Sequence, residues 1–129
     1  MKKIIETDAA PAAIGPYSQA TLAGGFLFTA GQIALDPESG EMVGDSASAQ
    51  ARQVMVNLTA VLEAGGAGWE DVVRAEVFLA DFADFAAVNE VYGEFAGDRP
   101  PARFAIQAAG LPLGALVEIA AIAYVGSDD

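Results

Sequence analysis

Arg103 follows Pro100-Pro101-Ala102 and stands at the head of a short apolar run, in a chain with only six basic side chains. A guanidinium can grip a carboxylate through two parallel hydrogen bonds, so Arg103 is a candidate anion clamp. The alternative is a structural ion pair with one of the eighteen acidic residues, which is the commoner use of arginine. The residues alone leave both roles open.

Glu118 is the second candidate, because the apolar segment 117–123 contains no other charge. A carboxylate in such a strand costs free energy unless it is paired or reaches solvent. It could be a cross-strand partner of Arg103, since only a short loop separates the two segments. It could instead activate a water molecule beside a ligand that Arg103 holds. The pattern does not distinguish the two.

Three other residues could line a binding site. Tyr17 follows Gly15-Pro16, so its hydroxyl is available to a ligand unless the ring merely caps the core. Asn89 lies near the apolar stripe of a predicted helix, where most asparagines bond to neighbouring backbone. Gly31 ends a predicted strand, where backbone amides can approach an anion.

Composition excludes several kinds of site. The chain has no cysteine and no histidine, so acid–base chemistry must use Asp, Glu, Tyr or the ligand itself. A net charge of -12 repels phosphate backbones, so we expect no nucleic-acid partner. Because no apolar run reaches membrane-spanning length and no signal-peptide core follows the N-terminus, we expect a soluble, cytoplasmic protein without a membrane partner.

Periodicity predicts the elements that position these residues. Alternating and apolar runs predict strands over 2–6, 17–22, 26–30, 72–79, 103–108 and 117–125. Alternation within 72–79 places Val73, Ala75, Val77 and Leu79 on one face of their strand. Apolar stripes at helical spacing predict helices over 46–64 and 81–96. Asp45 or Ser46 can cap the first helix, and Asp81 or Asp84 the second. Gly24-Gly25 predicts a hairpin between the second and third strands, and Gly65-Gly66 ends the first helix. The last two residues, Asp128-Asp129, are expected to form a solvated tail.

The predicted fold is α+β, with a mixed sheet of about six strands and two helices on one face, in a single domain over 1–129. The other face of the sheet, rich in Val, Ile and Ala, has nothing in the chain to cover it. We therefore expect an oligomer in which sheets meet across subunits. The strand that begins at Arg103 is expected to be buried.

Several spaced segments together resemble one family across essentially the whole chain. They are Ala-Ile-Gly-Pro-Tyr-Ser-Gln at 13–19, Thr-Ala-Gly-Gln-Ile at 29–33, Gln-Ala-Arg-Gln at 50–53, Val-Phe-Leu at 77–79, Val-Asn at 88–89 and Pro-Ala-Arg at 101–103. The chain resembles the reactive-intermediate deaminase family (RidA), also called YjgF/YER057c/UK114. The resemblance implies a chorismate-mutase-like fold, a homotrimer with clefts between subunits, and no metal or organic cofactor. It also implies hydrolysis of 2-imino acids, formed from 2-aminoacrylate and related enamines, to 2-oxo acids and ammonia.

The resemblance also assigns roles to residues. Arg103 matches the arginine that binds the substrate carboxylate, and Glu118 the glutamate that activates water. The remaining matches are substrate-binding positions, namely Tyr17, Asn89, Gly31 through its main chain and Ala105 through its backbone carbonyl.

Two positions depart from the family pattern. Ala30 stands where many members have a pocket serine, and Ala105 where many have a cysteine. A backbone carbonyl at 105 is kept by alanine, whereas the missing hydroxyl at 30 removes a hydrogen bond and changes which imino acids fit.

The catalytic interpretation requires Arg103 and Glu118 to face each other at a boundary between protomers, with room for a small anion and a water molecule. It fails if the two groups are locked together in a sealed interior or lie on opposite sides of the sheet. The rival function is a non-catalytic trimer that binds small carboxylates or protein partners. Retention of both residues favours the enzyme.

Overall fold

The structure, a computed structural model, describes residues 1–126 and contains six strands and two α-helices. The expected tail at Asp128-Asp129 lies outside the described residues. In chain order the elements are β1 (Lys3–Ile5), β2 (Ala20–Ala23), β3 (Phe26–Thr29), α1 (Ala47–Ala64), β4 (Val72–Leu79), α2 (Phe85–Ala96), β5 (Ala102–Gln107) and β6 (Val117–Tyr124). Short 3₁₀ turns occupy Trp69–Asp71, Phe82–Asp84 and Pro112–Gly114.

The six strands form one mixed sheet in the order β1-β2-β3-β6-β4-β5. Strands β4 and β5 are parallel, and all other neighbours are antiparallel. The predicted hairpin joins β2 to β3, and its turn glycines Gly24 and Gly25 have φ of +59° and +83°. Positive φ at both central positions is what a two-residue turn needs to match strand twist. The α+β fold class is confirmed.

Both helices pack on the same face of the sheet. The side chain of Ser46 caps α1 by accepting a 3.1 Å hydrogen bond from the amide of Ala49. The predicted apolar stripe of α1 is fully buried, at Ala51, Val54, Met55, Leu58, Val61 and Leu62. Within residues 1–126 neither helix is both long and apolar enough to cross a bilayer.

Helix α2 begins later than predicted. The expected start was residue 81, but Phe82–Asp84 forms a 3₁₀ turn and the α-helix starts at Phe85. The Asp81 side chain accepts a 2.9 Å hydrogen bond from the amide of Ala83, so it caps the turn instead of the helix. A local side-chain bond of this kind competes with α-helical pairing.

Two predictions about strand burial were wrong. Val73 was expected on the core face of β4 but is 45% exposed, because a bulge between Val72 and Arg74 turns it outward. Strand β5 was expected to be buried, yet it is a sheet edge whose Phe104 and Ile106 are 38% and 47% exposed.

The sheet face opposite the helices is open, as predicted, but aromatic side chains dominate it. Phe28 pairs with Ile122 and Phe26 with Tyr124, which places them on one surface with Phe104. The four aromatic side chains are 38–48% exposed, so together they form an apolar patch that faces solvent in the isolated chain. The patch favours self-association, and the homotrimer stays a prediction.

We expect Phe28→Glu to abolish self-association, because it would place a carboxylate inside the apolar interface. Light scattering coupled to size exclusion should give three times the mass of the 13.2 kDa chain for the wild type and one chain for the variant. The matched control is Val56→Glu on the outer side of α1, where the valine is similarly exposed at 47%. A monomeric wild type at micromolar concentration would contradict the oligomer.

Candidate functional site

Glu118 lines a cavity of about 480 Å³ at the end of the sheet where β6 begins. The cavity is bounded by the segment that follows β3, the loop before β2 and the turn between β5 and β6. Among residues 1–126, Glu118 is its only carboxylate, and most other lining side chains are apolar, including Ile14, Ile33, Leu35, Pro112 and Leu113. A mainly apolar concavity with a few polar groups is typical of small-molecule sites.

The segment after β3 brings Gly31 directly against Glu118. Gln32 and Ile119 exchange backbone hydrogen bonds of 2.9 and 3.1 Å, while the hydroxyl of Thr29 accepts one of 2.9 Å from the amide of Ala121. A Cβ at position 31 would lie only 2.5 Å from Oε2 of Glu118. The carboxylate can occupy this place only because position 31 has no side chain.

The amide of Gly31 is available to a ligand. Of the three consecutive amides at this strand end, that of Ala30 donates to the carbonyl of Gln19 at 2.9 Å and that of Gln32 donates to Ile119. Within residues 1–126 the amide of Gly31 donates no hydrogen bond. The sequence predicted that a backbone amide at this strand end could bind an anion, and the amide of Gly31 is the one of the three that is free to do so.

Burial changes the acidity of Glu118. The side chain is about half buried, and desolvation of the charged form raises its pKa above that of an ordinary glutamate. In the part of the chain that the structure describes, no basic group lies within 4 Å to offset this effect. A carboxylate with a raised pKa holds a proton more readily near neutral pH, which suits general acid–base work.

Tyr17 lies at the mouth of the cavity on a loop that Gln19 holds. Gln19 is 3% exposed, and its side chain accepts a 2.7 Å bond from the amide of Thr7 and donates bonds of 3.0 and 2.8 Å to the carbonyls of Thr7 and Pro11. The Tyr17 ring is 53% exposed and lines the cavity, so it does not cap the core.

Arg103 projects from β5 onto α2, where only neutral groups hold it. Its Nη1 donates a 2.6 Å hydrogen bond to Oδ1 of Asn89, and its guanidinium carbon lies 4.8 Å from the ring centre of Tyr92 and 5.5 Å from that of Phe85. Such cation–π contacts favour a cation over the ring faces. Asn89 therefore bonds to a side chain, contrary to the commoner backbone role.

The structural alternative for Arg103 was an ion pair, and Arg103 forms none with the acidic residues of 1–126. Within residues 1–126 the ion pairs join Arg52 to Glu94 and Arg74 to Glu76, and no carboxylate lies within 4 Å of Arg103. The exposed guanidinium keeps donors that are free to bind an anion.

The two central candidates do not meet within one protomer. Arg103 pairs in register with Ala75, which is fully buried beneath the helices, whereas Glu118 pairs with Phe78 on the open face. Strand β4 lies between their strands. The cross-strand pairing of Arg103 with Glu118 was therefore wrong. Within one protomer the two groups lie on opposite sides of the sheet, which is the arrangement under which the catalytic interpretation was expected to fail, so a site built from one chain is contradicted. Only a second copy can bring the two groups together.

Sequence reasoning missed the aromatic support of Arg103. Phe85, Asn89 and Tyr92 stand at i, i+4 and i+7, which places all three on the face of α2 that meets β5. That spacing was available in the sequence, but which strand faces it was not. Ala105 pairs with Val77 on the helix-covered side, and the binding role of its carbonyl stays a prediction.

The raised pKa of Glu118 predicts a pH-dependent stability effect. Above that pKa the folded chain carries a charge that burial disfavours, so we expect Glu118→Gln to raise the free energy of unfolding near pH 8. Below the ordinary pKa of glutamate both states are protonated, and the difference should vanish. Chemical denaturation at several pH values measures this, with exposed Glu90→Gln as the control. A variant less stable than wild type at pH 8 would contradict the assignment.

Comparison with known proteins shows the family. The family described as Endoribonuclease L-PSP matches residues 7–125. The RutC family protein PH0854 of Pyrococcus horikoshii is 52% identical, and the match covers 96% of this chain and 98% of that protein. The 2-iminobutanoate/2-iminopropanoate deaminase of Bos taurus is 46% identical over 98% of this chain and 92% of that protein.

Solved structures share the whole fold. The structure of E. coli TdcF with bound serine matches with a TM-score of 0.89 and 42% identity, over 95% of this chain and 98% of that one. The predicted fold is thus common to proteins of this group. The family match spans almost all of the described residues, and the relatives align over nearly their full length. The chain therefore belongs to the Endoribonuclease L-PSP family, which is the RidA (YjgF) family that its sequence motifs resemble.

Proposed function

We propose that the chain hydrolyses 2-imino acids to 2-oxo acids and ammonia as a homotrimer, in clefts where the Glu118 cavity of one protomer meets Arg103 of the next. The relative from Bos taurus carries the name of a deaminase for 2-iminobutanoate and 2-iminopropanoate. TdcF holds serine, which has an α-carboxylate and a short side chain like those substrates. A cytoplasmic location is part of the proposal.

The observation that carries the proposal is the uncompensated charge of Arg103. Neutral groups orient the guanidinium, and no acid among residues 1–126 neutralises it. An arginine held in this way has its strongest interaction with a carboxylate that arrives from outside. A 2-imino acid supplies one next to its reacting carbon.

The reaction needs few groups. With the carboxylate fixed by Arg103, Glu118 accepts a proton from water as the water oxygen bonds to the imine carbon. Glu118 passes this proton to the imine nitrogen, which gives a carbinolamine. Glu118 then moves the hydroxyl proton of the carbinolamine to its amine nitrogen, so that the C–N bond breaks, the carbonyl forms and ammonia leaves. The raised pKa of Glu118 matches this double role, in which the group takes a proton and gives it back. The open amide of Gly31 can donate to a ligand oxygen in the same cavity.

Imine hydrolysis proceeds in water, so a modest lowering of the barrier is sufficient. Holding the imine and water in reacting geometry, together with one base, supplies large factors without metal or imidazole. The inventory of Glu118, Arg103 and Tyr17 is adequate for that task.

Two other functions can be distinguished from imine hydrolysis. A protein that only binds small carboxylates would keep the arrangement around Arg103 but make no use of Glu118. RNA cleavage, suggested by the family name Endoribonuclease L-PSP, is disfavoured by the net charge of -12. Two of the four arginines are also committed to ion pairs.

Substitutions at the two central residues should have different signatures. We expect Arg103→Ala to lower kcat/KM about 100-fold and to abolish binding of pyruvate, since it removes charge-assisted hydrogen bonds. Arg103→Lys keeps the charge but loses the planar fork, so its loss should be smaller. Glu118→Gln should lower kcat by about 10²–10⁴-fold while pyruvate still binds. The assay follows 2-oxo acid release from imine generated by a separate dehydratase.

The control for these variants is Arg52→Ala, which breaks an exposed pair with Glu94. It should leave activity unchanged. Equal rates with and without the wild-type protein would refute the activity for that imine. Pyruvate binding without any rate acceleration by the wild type, lost in Arg103→Ala but kept in Glu118→Gln, would instead identify a binding protein. Full activity in Glu118→Gln would refute the proposed role of that carboxylate.

Gly31→Ala tests how the carboxylate is positioned. The new methyl group would displace the Glu118 side chain, and a shift of about 1 Å at a reacting group costs roughly 100-fold in rate. Thermal stability should change little, because the displaced atoms belong to a flexible side chain. Gly110→Ala in the loop after β5 is the matched control, since a Cβ there meets nothing within 4 Å. Wild-type kinetics in Gly31→Ala would show that the contact has no catalytic consequence.

A further inference from the structure

Leu113 is the only non-glycine residue within 1–126 that has a positive φ. Its φ of 56° and ψ of 26° lie in the left-handed region, which leucine disfavours and glycine or asparagine accepts. The turn Pro112–Gly114 holds it there, with hydrogen bonds from Gly114 to the carbonyl of Leu111 and from Ala115 to that of Pro112.

Packing within the protomer does not explain this residue. The Leu113 side chain is 70% exposed, so it contributes little to the core in return for its unfavourable backbone. It does line the Glu118 cavity. A strained backbone that presents a large apolar side chain at a candidate reaction site indicates a functional role.

The cavity wall that Leu113 joins is apolar as well. Ile14, Ile33 and Leu35 line it, and Ala30 adds a methyl group. The volume of about 480 Å³ exceeds what a substrate with a single methyl side chain would fill. Apolar surface of this kind is complementary to a longer aliphatic side chain.

We propose that Leu113 is a specificity-determining residue that contacts the substrate side chain and selects 2-imino acids with branched aliphatic side chains over 2-iminopropanoate. This inference rests on the proposed function and names its substrate class. The turn presents the side chain, and Ala30 adds no polar side-chain group to the cavity lining. Discrimination by apolar contacts of this size is typically 10-fold or more.

The test compares two imines, made in situ from leucine and alanine by a broad-specificity amino-acid oxidase, in the wild type and three variants. Leu113→Gly and Leu113→Asn both accept the left-handed backbone and both remove the apolar surface, so neither should compromise folding. We expect each to lower the ratio of kcat/KM for the leucine-derived imine to that for the alanine-derived imine about 10-fold. Leu113→Met keeps the apolar surface and should hold the ratio within about twofold.

Each other outcome is decisive. An unchanged ratio in Leu113→Gly, or an equal fall for both imines with a change in oligomer mass, overturns the inference and makes Leu113 a structural or subunit-contact residue. If the wild type accelerates neither imine, the proposed function fails separately. Calorimetric binding of 4-methyl-2-oxopentanoate and pyruvate then decides the selectivity: tighter binding of the branched acid, lost in Leu113→Gly, supports it, and its absence overturns it.

Discussion

The helices cover one face of the sheet and leave the other open, and this constraint governs both assembly and site. Arg103 lies on the covered side against α2, while Glu118 lies on the open side at the start of β6. No rotation of either side chain carries it through a hydrogen-bonded sheet. A chemistry that uses both groups therefore depends on a second copy, and the exposed aromatic face is the surface on which a copy can pack.

The two charged groups are held by opposite physical means. Glu118 is placed where desolvation disfavours its charge, beside a glycine whose missing side chain makes room for it. Arg103 remains exposed, and aromatic faces together with one amide oxygen orient it without neutralising it. The first arrangement tunes a proton affinity, whereas the second preserves an electrostatic attraction for an incoming anion. The network of Gln19 supports both the Tyr17 loop and the segment beside Gly31.

Much of the fold was predictable because local patterns encode it. The stripe of α1, its Ser46 cap and the Gly24-Gly25 hairpin all depend on neighbouring residues, and all were confirmed. The failures have local and non-local causes. A bulge turns Val73 away from the core, and a side-chain hydrogen bond to Asp81 forms a 3₁₀ turn where the start of α2 was expected. Strand β5, which carries Arg103, is an edge because it is last in the strand order.

The sequence by itself determined which chemistry is available. Because the chain has no histidine or cysteine, the candidates were Arg103, which follows two prolines, and Glu118, which lies in an apolar strand. The family motifs indicated the same two residues. Only the tertiary structure decided that β4 separates their strands, that Gly31 adjoins the carboxylate, and that Leu113 faces the same cavity. The physical reason is the distance along the chain over which each interaction acts. Periodicity and capping act over a few residues, whereas strand order and register depend on pairing between distant segments, which no local pattern specifies.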